Sequence, residues 1–289
     1  MLVSGEERRF SFQTGKFDLQ ESKDRKFLGW VLDQFLYGEV TGIQCGHWLY
    51  RAPHLNAATF LARQATEELS HVRKVLRIFT LLGELPQKPH WAVRFLSSGM
   101  MGGSWGEHVA IEMALGEGLV LNVFYALADT IPDPEIEKIL KSAAIEEERH
   151  VEFGEKETHA WIQKYPQSKG LLLGLALVQL GILRKLKRTI VRKLTQSFGQ
   201  THPVASQFED FYVHVLKIFE TQIERLGLWE QPLNSMTAFQ KVKILGALPF
   251  RMLFARFRFK SPLLTEIYLD DPTVVSELKR FRLSSSKPE

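Results

Sequence analysis

The chain has one cysteine, Cys45, in 289 residues. That excludes an internal disulfide framework and predicts a reducing, cytoplasmic setting. The N-terminal "MLVSGEERRFSFQTGKFDLQ" lacks the apolar core of a signal peptide. The longest apolar run, "GLLLGLALVQLGIL" at 170–183, falls short of the roughly 20 residues a membrane span needs. Strand signals are scarce, because little of the chain alternates with period two between Gly or Asn turns. With 45% hydrophobic and 24% charged residues, there is enough apolar material for a sizeable core, and global disorder is not expected.

Charge is unevenly spread. The net +4 divides into about −6 over residues 1–163 and about +10 over residues 164–289. A basic half suits a membrane surface, a nucleic acid or an acidic protein, and it equally suits a plain solvated surface.

Helical periodicity dominates, and the expectation is an all-α protein. Helices are expected over 24–50, 54–82, 105–130 and 134–164, with breaks at "RAPHL", "LPQKPH", "SSGMMGGS" and "TIPDPE". Further helices are expected over 168–197, 204–227, 236–258 and 272–281. This gives an N-terminal segment 1–23, a four-helix unit 24–164, a helical extension 165–283 and a flexible tail 284–289.

An internal repeat organises the first half. "ATEELSHV" (65–72) matches "AIEEERHV" (144–151), so Glu68-x-x-His71 is echoed by Glu147-x-x-His150. Each copy has an upstream glutamate in a largely apolar stretch: Glu39 lies 29 residues before Glu68, and Glu117 lies 30 before Glu147. The midpoints fall at Pro53–His54 and at Pro132. In each hairpin the chain therefore runs out about 15 residues, roughly 22 Å, turns and comes back to the same height. Residues i and i+3 share a helix face, so a carboxylate and an imidazole can hold one metal from consecutive turns. Four carboxylates and two divalent ions would be neutral, which suits burial. Glu117 sits in "MALGEGLVLNVFYALA", where an unpartnered carboxylate is costly, and metal is the partner the other five residues predict.

This set resembles the ferritin-like di-iron carboxylate superfamily, in which two helices give one glutamate each and two give Glu-x-x-His. The match covers roughly residues 24–164 and implies a ferritin-like four-helix bundle with additional C-terminal helices. It implies Glu39, Glu68, His71, Glu117, Glu147 and His150 as ligands of two iron ions, with Glu68 and Glu147 as bridges. Manganese or a mixed Mn/Fe pair would suit the same donors. Many di-iron oxygenases of this group carry Asp-Glu-x-Arg-His. Here "EEERH" keeps Arg149 and places Glu146 at the aspartate position, while "EELSH" has Glu67 there and Ser70 in place of arginine. Glu67 and Glu146 are thus candidates to orient the ligating histidines, against the plain reading of solvated helix charges. Glu148, Glu152, Glu155 and Glu157 are expected to face solvent.

The position of the radical tyrosine of ribonucleotide reductase small subunits is Val75 here, which argues against that role. One cysteine excludes the rubredoxin module of rubrerythrins. "LYRAPHLNAATFLARQATEELSHV" resembles the second helix of bacterial multicomponent oxygenases, and "IPDPEIEKIL" with "EEERHVEFGE" is similar to aldehyde-deformylating oxygenases. The resemblance implies an oxidoreductase, an O2-activating monooxygenase or oxidase acting on a hydrophobic or acyl-type small molecule. A ferredoxin-like donor would supply electrons, docking on a basic face. Two other readings stay open: a tRNA-hydroxylating enzyme, although no RNA-binding module is recognisable, and an iron-handling or O2-scavenging protein.

Glycines cluster near the candidate ligands: Gly38, Gly42 and Gly46 around Glu39, Gly116 and Gly118 around Glu117, and Gly154 after His150. Glycine weakens helices, so each needs a reason. Close helix packing is one, and a substrate or O2 pocket is the other. The apolar-to-basic run 170–194 and the basic, aromatic-rich run 239–260 either pack on the bundle or form a peripheral membrane-facing surface.

Overall fold

The computed structural model describes residues 3–13, 15–99, 102–198 and 202–251, and among them there is helix and no strand. The expected 272–281 helix, the end of the expected 236–258 helix and the tail lie outside the described residues. Seven longer helices carry the fold: α1 Ser22–Gly42, α2 Leu55–Leu82, α3 Trp105–Thr130, α4 Pro134–Lys164, α5 Lys169–Phe198, α6 Phe208–Arg225 and α7 Ala238–Gly246.

Local chemistry sets the ends. His54 caps α2 by accepting from the Ala57 N–H, and Gly83 closes it with φ of +66°. Asp133 caps α4 by accepting from Glu135 and Ile136, with Pro134 in the first turn. The first helix departs from the sequence expectation. Regular α-structure stops at Gly42, and Ile43–Arg51 continues as tighter 3₁₀ turns. Thr41 hydrogen-bonds back to the Tyr37 and Gly38 carbonyls here, and Gly42 and Gly46 supply little helix propensity. α3 holds a second irregularity, wide π-helical turns over His108–Glu117. Their Ile111 and Ala114 carbonyls accept from the side-chain amides of Gln179 and Gln222.

Two apolar layers fix how the helices run. One gathers Leu32, Phe35, Val75, Ile78, Leu121, Phe124 and Leu140. The other gathers Cys45, Trp48, Leu61, Val109 and Met113. α1 passes from the first layer to the second, α2 returns, α3 runs the same way as α2, and α4 opposes it. α1 pairs with α2 and α3 with α4, and the two hairpins meet through α2 and α4. Between the layers each helix carries its candidate ligands.

α5 and α6 pack on the π-helical face of α3, burying Leu171–Leu177, Leu180, Phe219 and Ile223. Each buried leucine contributes about 1.5–3 kcal/mol. α3 is long and apolar enough to cross a membrane by length and composition, yet 67% of its most apolar stretch is buried inside this fold. The apolar half of α5 thus packs inward, whereas α7 leaves Phe239 and Val242 exposed.

The N-terminal segment is stitched to this frame. Buried Arg8 donates to the Gly118 carbonyl at 3.0 Å and lies 3.7 Å from buried Glu155. Gln222 donates to Glu155 at 2.7 Å. Glu155 is therefore not the solvent-facing residue the sequence suggested. Nor is Glu157, which accepts from Trp105 and meets His54, or Glu148, which accepts from Tyr125. Only Glu152 of that run is exposed, paired with Lys156 one turn on.

Candidate metal centre

Four helices bring six carboxylate and imidazole side chains to one height. Glu39, Glu68, His71 and Glu147 form one group able to hold a metal ion, and Glu68, Glu117 and His150 form another. In each group one donor atom per residue lies within 4.8 Å of the others, and Glu68 belongs to both. His71 Nδ1 stands 3.0 Å from Glu39, 3.1 Å from Glu147 and 3.9 Å from Glu68. His150 Nδ1 stands 3.4 Å from Glu147, 3.5 Å from Glu68 and 3.9 Å from Glu117.

The outward nitrogens are held crosswise. His71 Nε2 lies 2.6 Å from Glu146 of the other motif, and His150 Nε2 lies 2.8 Å from Glu67. Each carboxylate has a cation behind it. Arg149 and Arg63 donate to Glu67, both at 2.8 Å, and Lys74 donates to Glu146 at 2.6 Å. An Nε2–H donated to a carboxylate leaves the Nδ1 lone pair facing the cluster, the tautomer a metal ligand requires. Ser70 leaves the first motif without its arginine, and Lys74, one turn further along α2, supplies that charge. Gln64 completes the shell by donating to Glu117 at 2.9 Å and to Glu68 at 3.4 Å.

Electrostatics point the same way. Burial alone pushes His71 and His150 down. Hydrogen bonds and charge from Glu147, with Glu39 on His71 and Glu117 on His150, outweigh it and lift them to about 10 and about 9. Burial, then the Glu147 charge, raises Glu117 to about 8 and carries Glu68 well above the usual range. Burial also raises Glu39, although His71 opposes it. Glu147 resists burial and drops to about 2 because both histidines face it. Protons thus balance charge that cations would otherwise balance.

The donor set fits metal on another count. Glu117 Oε2, Glu147 Oε2 and His150 Nδ1 are buried without a well-aligned hydrogen bond, although His150 Nδ1 lies 3.4 Å from Glu147 Oε2 and 3.9 Å from Glu117 Oε2. Such groups cost several kcal/mol together unless something meets them (about 1–3 each). Glu147 belongs to one metal-capable group and Glu117 and His150 to the other, so cations in the two groups would meet these atoms.

A cavity of about 270 Å³ adjoins the cluster. Glu39, Glu68, Glu117 and Glu147 form part of its wall, apolar side chains such as Phe35, Val120 and Leu183 from α1, α3 and α5 form another part, and polar groups including Gln34, Gln44 and Gln179 also border it. The six glycines divide here. Gly38, Gly42 and Gly116 line the cavity. Gly118 and Gly154 serve packing instead: a Cβ on Gly118 would lie 2.7 Å from Gln222, and one on Gly154 2.7 Å from Met113. Gly46 does neither, with nothing within 4 Å of its Cβ position.

Sequence reasoning missed Lys74, Gln64 and a histidine–glutamate pair on the cavity wall, His108 and Glu112. The signal for the last was present, since "HVAIE" places both in an apolar helix four residues apart. No family model matches the chain, and no curated protein or solved structure matches it.

Proposed function

We propose that this chain is a ferritin-like, non-haem di-iron enzyme that activates O2 to oxidise a hydrophobic or acyl-type small molecule. The observation that carries the reading is the shared wall: four of the carboxylates that can hold metal also border an apolar cavity. An iron-storage role gives no reason for such a cavity, or for α5 to close one side of it.

Glu39, Glu68, His71 and Glu147 would hold one iron, and Glu68, Glu117 and His150 the other. The pair, when bound, supplies the redox chemistry of oxygen activation. The protein's own side chains do the rest. Glu67 and Glu146 keep the histidine protons on Nε2, and Arg149, Arg63 and Lys74 keep those carboxylates charged. Phe35, Val120, Val123, Leu183 and Leu186 exclude water and shape the space for an apolar substrate. α5 presents Leu183 and Leu186 to that space while exposing Lys185, Arg188 and Arg192. That basic stretch supports docking of an acidic electron donor.

The test is metal analysis after anaerobic loading with Fe(II), followed by O2 uptake. About two irons per chain are expected in the native protein, with loss of at least one in Glu147→Ala and in His150→Ala. Unchanged stoichiometry and O2 uptake in both variants would remove the assignment. Loading far above two per chain would favour iron handling.

A further inference from the structure

The cavity has a polar contact point that none of the six candidate ligands supplies. His108 is 2% exposed and belongs to the cavity wall, and its Nε2 is buried without a hydrogen-bond partner. Its other nitrogen is fixed, because Nδ1 lies 2.8 Å from Glu112 Oε2. Glu112 is fixed in turn by the Gly102 N–H, which donates to its other oxygen at 2.6 Å. The imidazole face is clamped as well. It stacks on the Trp48 indole with ring centroids 4.9 Å apart and planes 14° apart, and Trp48 is itself buried. The ring can neither turn to find another partner nor withdraw to solvent.

A buried imidazole nitrogen without a partner is destabilising. The ring that carries it lines, together with Glu112, an otherwise largely apolar space that ends at the carboxylate cluster. A volume of about 270 Å³ corresponds to roughly nine water-sized units at ~30 Å³ each. That accommodates a molecule on the order of ten non-hydrogen atoms. Pockets of this kind orient a mainly apolar ligand through a few fixed polar groups.

We propose that His108, oriented by Glu112 and Trp48, is a substrate-binding residue whose Nε2 takes the oxygen-bearing end of a short aliphatic molecule lying in the cavity. The occupant is a hydrocarbon chain ending in a hydroxyl or a carboxylate. An imidazole nitrogen can accept from a hydroxyl or donate to a carboxylate. The proposal rests on the functional reading above only in calling the occupant a substrate, and binding itself is independent of it.

Three probes test it on the full chain: n-hexane, 1-hexanol and hexanoate. Headspace partitioning measures binding of the first two, and equilibrium dialysis the third. His108→Phe keeps an aromatic ring for Trp48 to stack on and removes both nitrogens. It is expected to weaken hexanol or hexanoate on the order of ten-fold, the scale of one hydrogen bond, and to hold hexane within about two-fold. Whichever oxygenated probe responds names the head group. Equal weakening of all three probes, no weakening, or no binding of any probe to the native protein would overturn the proposal. If the variant does not fold, the ¹⁵N resonance of His108 Nε2 in the native protein decides. It should shift with an oxygenated probe and stay in place with hexane, and no shift with either would overturn the proposal. Iron content of His108→Phe should match the native protein. Probe discrimination without metal loading would sink the di-iron reading and leave this one standing, and the converse would do the reverse.

Discussion

Gly42 presses its bare α-carbon against Glu68: a Cβ there would lie 2.5 Å from Oε2 of the one carboxylate common to both groups able to hold a metal ion. Gly38, one turn earlier on α1, has nothing within 4 Å of the same position. Two glycines with the same sequence signature therefore predict opposite outcomes. Gly42→Ala should displace Glu68, cost about 1–3 kcal/mol as overpacking does, and lower metal stoichiometry. Gly38→Ala should leave metal content unchanged and stabilise by up to about 1 kcal/mol through helix propensity. Chemical denaturation and metal analysis of both variants separate the cases, and matching behaviour would contradict the contact.

The crosswise support of the histidines makes a second prediction. Glu67→Ala and Glu146→Ala remove no metal donor, yet each should weaken metal affinity about 10–100-fold. Lys74→Met should give a smaller loss, because it removes the charge behind Glu146 and leaves the carboxylate in place. Competition titration with a chelator measures all three, and native affinity in both glutamate variants would show that these carboxylates do not orient the rings.

Proton linkage gives a third. His71, His150 and Glu117 sit at about 10, 9 and 8 in the metal-free chain, so all three hold protons at pH 7. Metal loading must displace protons from these groups, so binding should release protons and apparent affinity should rise with pH. The sign for stability is opposite. These groups bind protons more tightly folded than unfolded, so the metal-free chain should lose stability as pH rises from about 5 towards 10. Glu147, held near 2, opposes this only in strong acid. An indicator dye in weakly buffered solution counts the protons, and denaturation between pH 6 and 9 checks the slope. Release of less than one proton would contradict the charge balance described.

A fourth concerns the frame. Arg8 is the buried cation beside Glu155, and its removal leaves that carboxylate with the Gln222 hydrogen bond but without its neighbouring charge in the interior. Arg8→Ala should cost about 3–5 kcal/mol. Arg8→Met with Glu155→Gln should recover much of the loss. Denaturant midpoints with unchanged m-values test this, and a loss in the double variant as large as in the single would place the effect in packing alone.

The helical class and the six clustered side chains were legible in the sequence because both depend on local spacing. A hairpin that turns at its midpoint returns its glutamates to one height whatever surrounds it. Partners from distant segments were not legible. Lys74 reaches Ser142 and Glu146, Arg8 reaches Gly118, and Gln179 of α5 reaches Ile111, at separations no periodicity encodes. Charge density misled across one run: Glu148, Glu155 and Glu157 looked solvent-facing, yet Tyr125, Trp105 and His54 meet two of them, and Glu155 sits on the inward face of α4 where Arg8 and Gln222 meet it. The glycines were visible as a group and divided only by their neighbours. The 3₁₀ end of α1 and the π turns of α3 escaped as well, since both keep helical periodicity while changing its pitch.

The exchange of carboxylates between the two motifs bears on how such a centre can arise. Neither hairpin alone holds both its histidine and the group that orients that histidine, because Glu146 serves His71 and Glu67 serves His150. A single hairpin facing a second copy of itself would recreate the same exchange. The architecture is therefore that of a two-fold dimer written into one chain, and duplication followed by fusion could assemble it without passing through a half-built site.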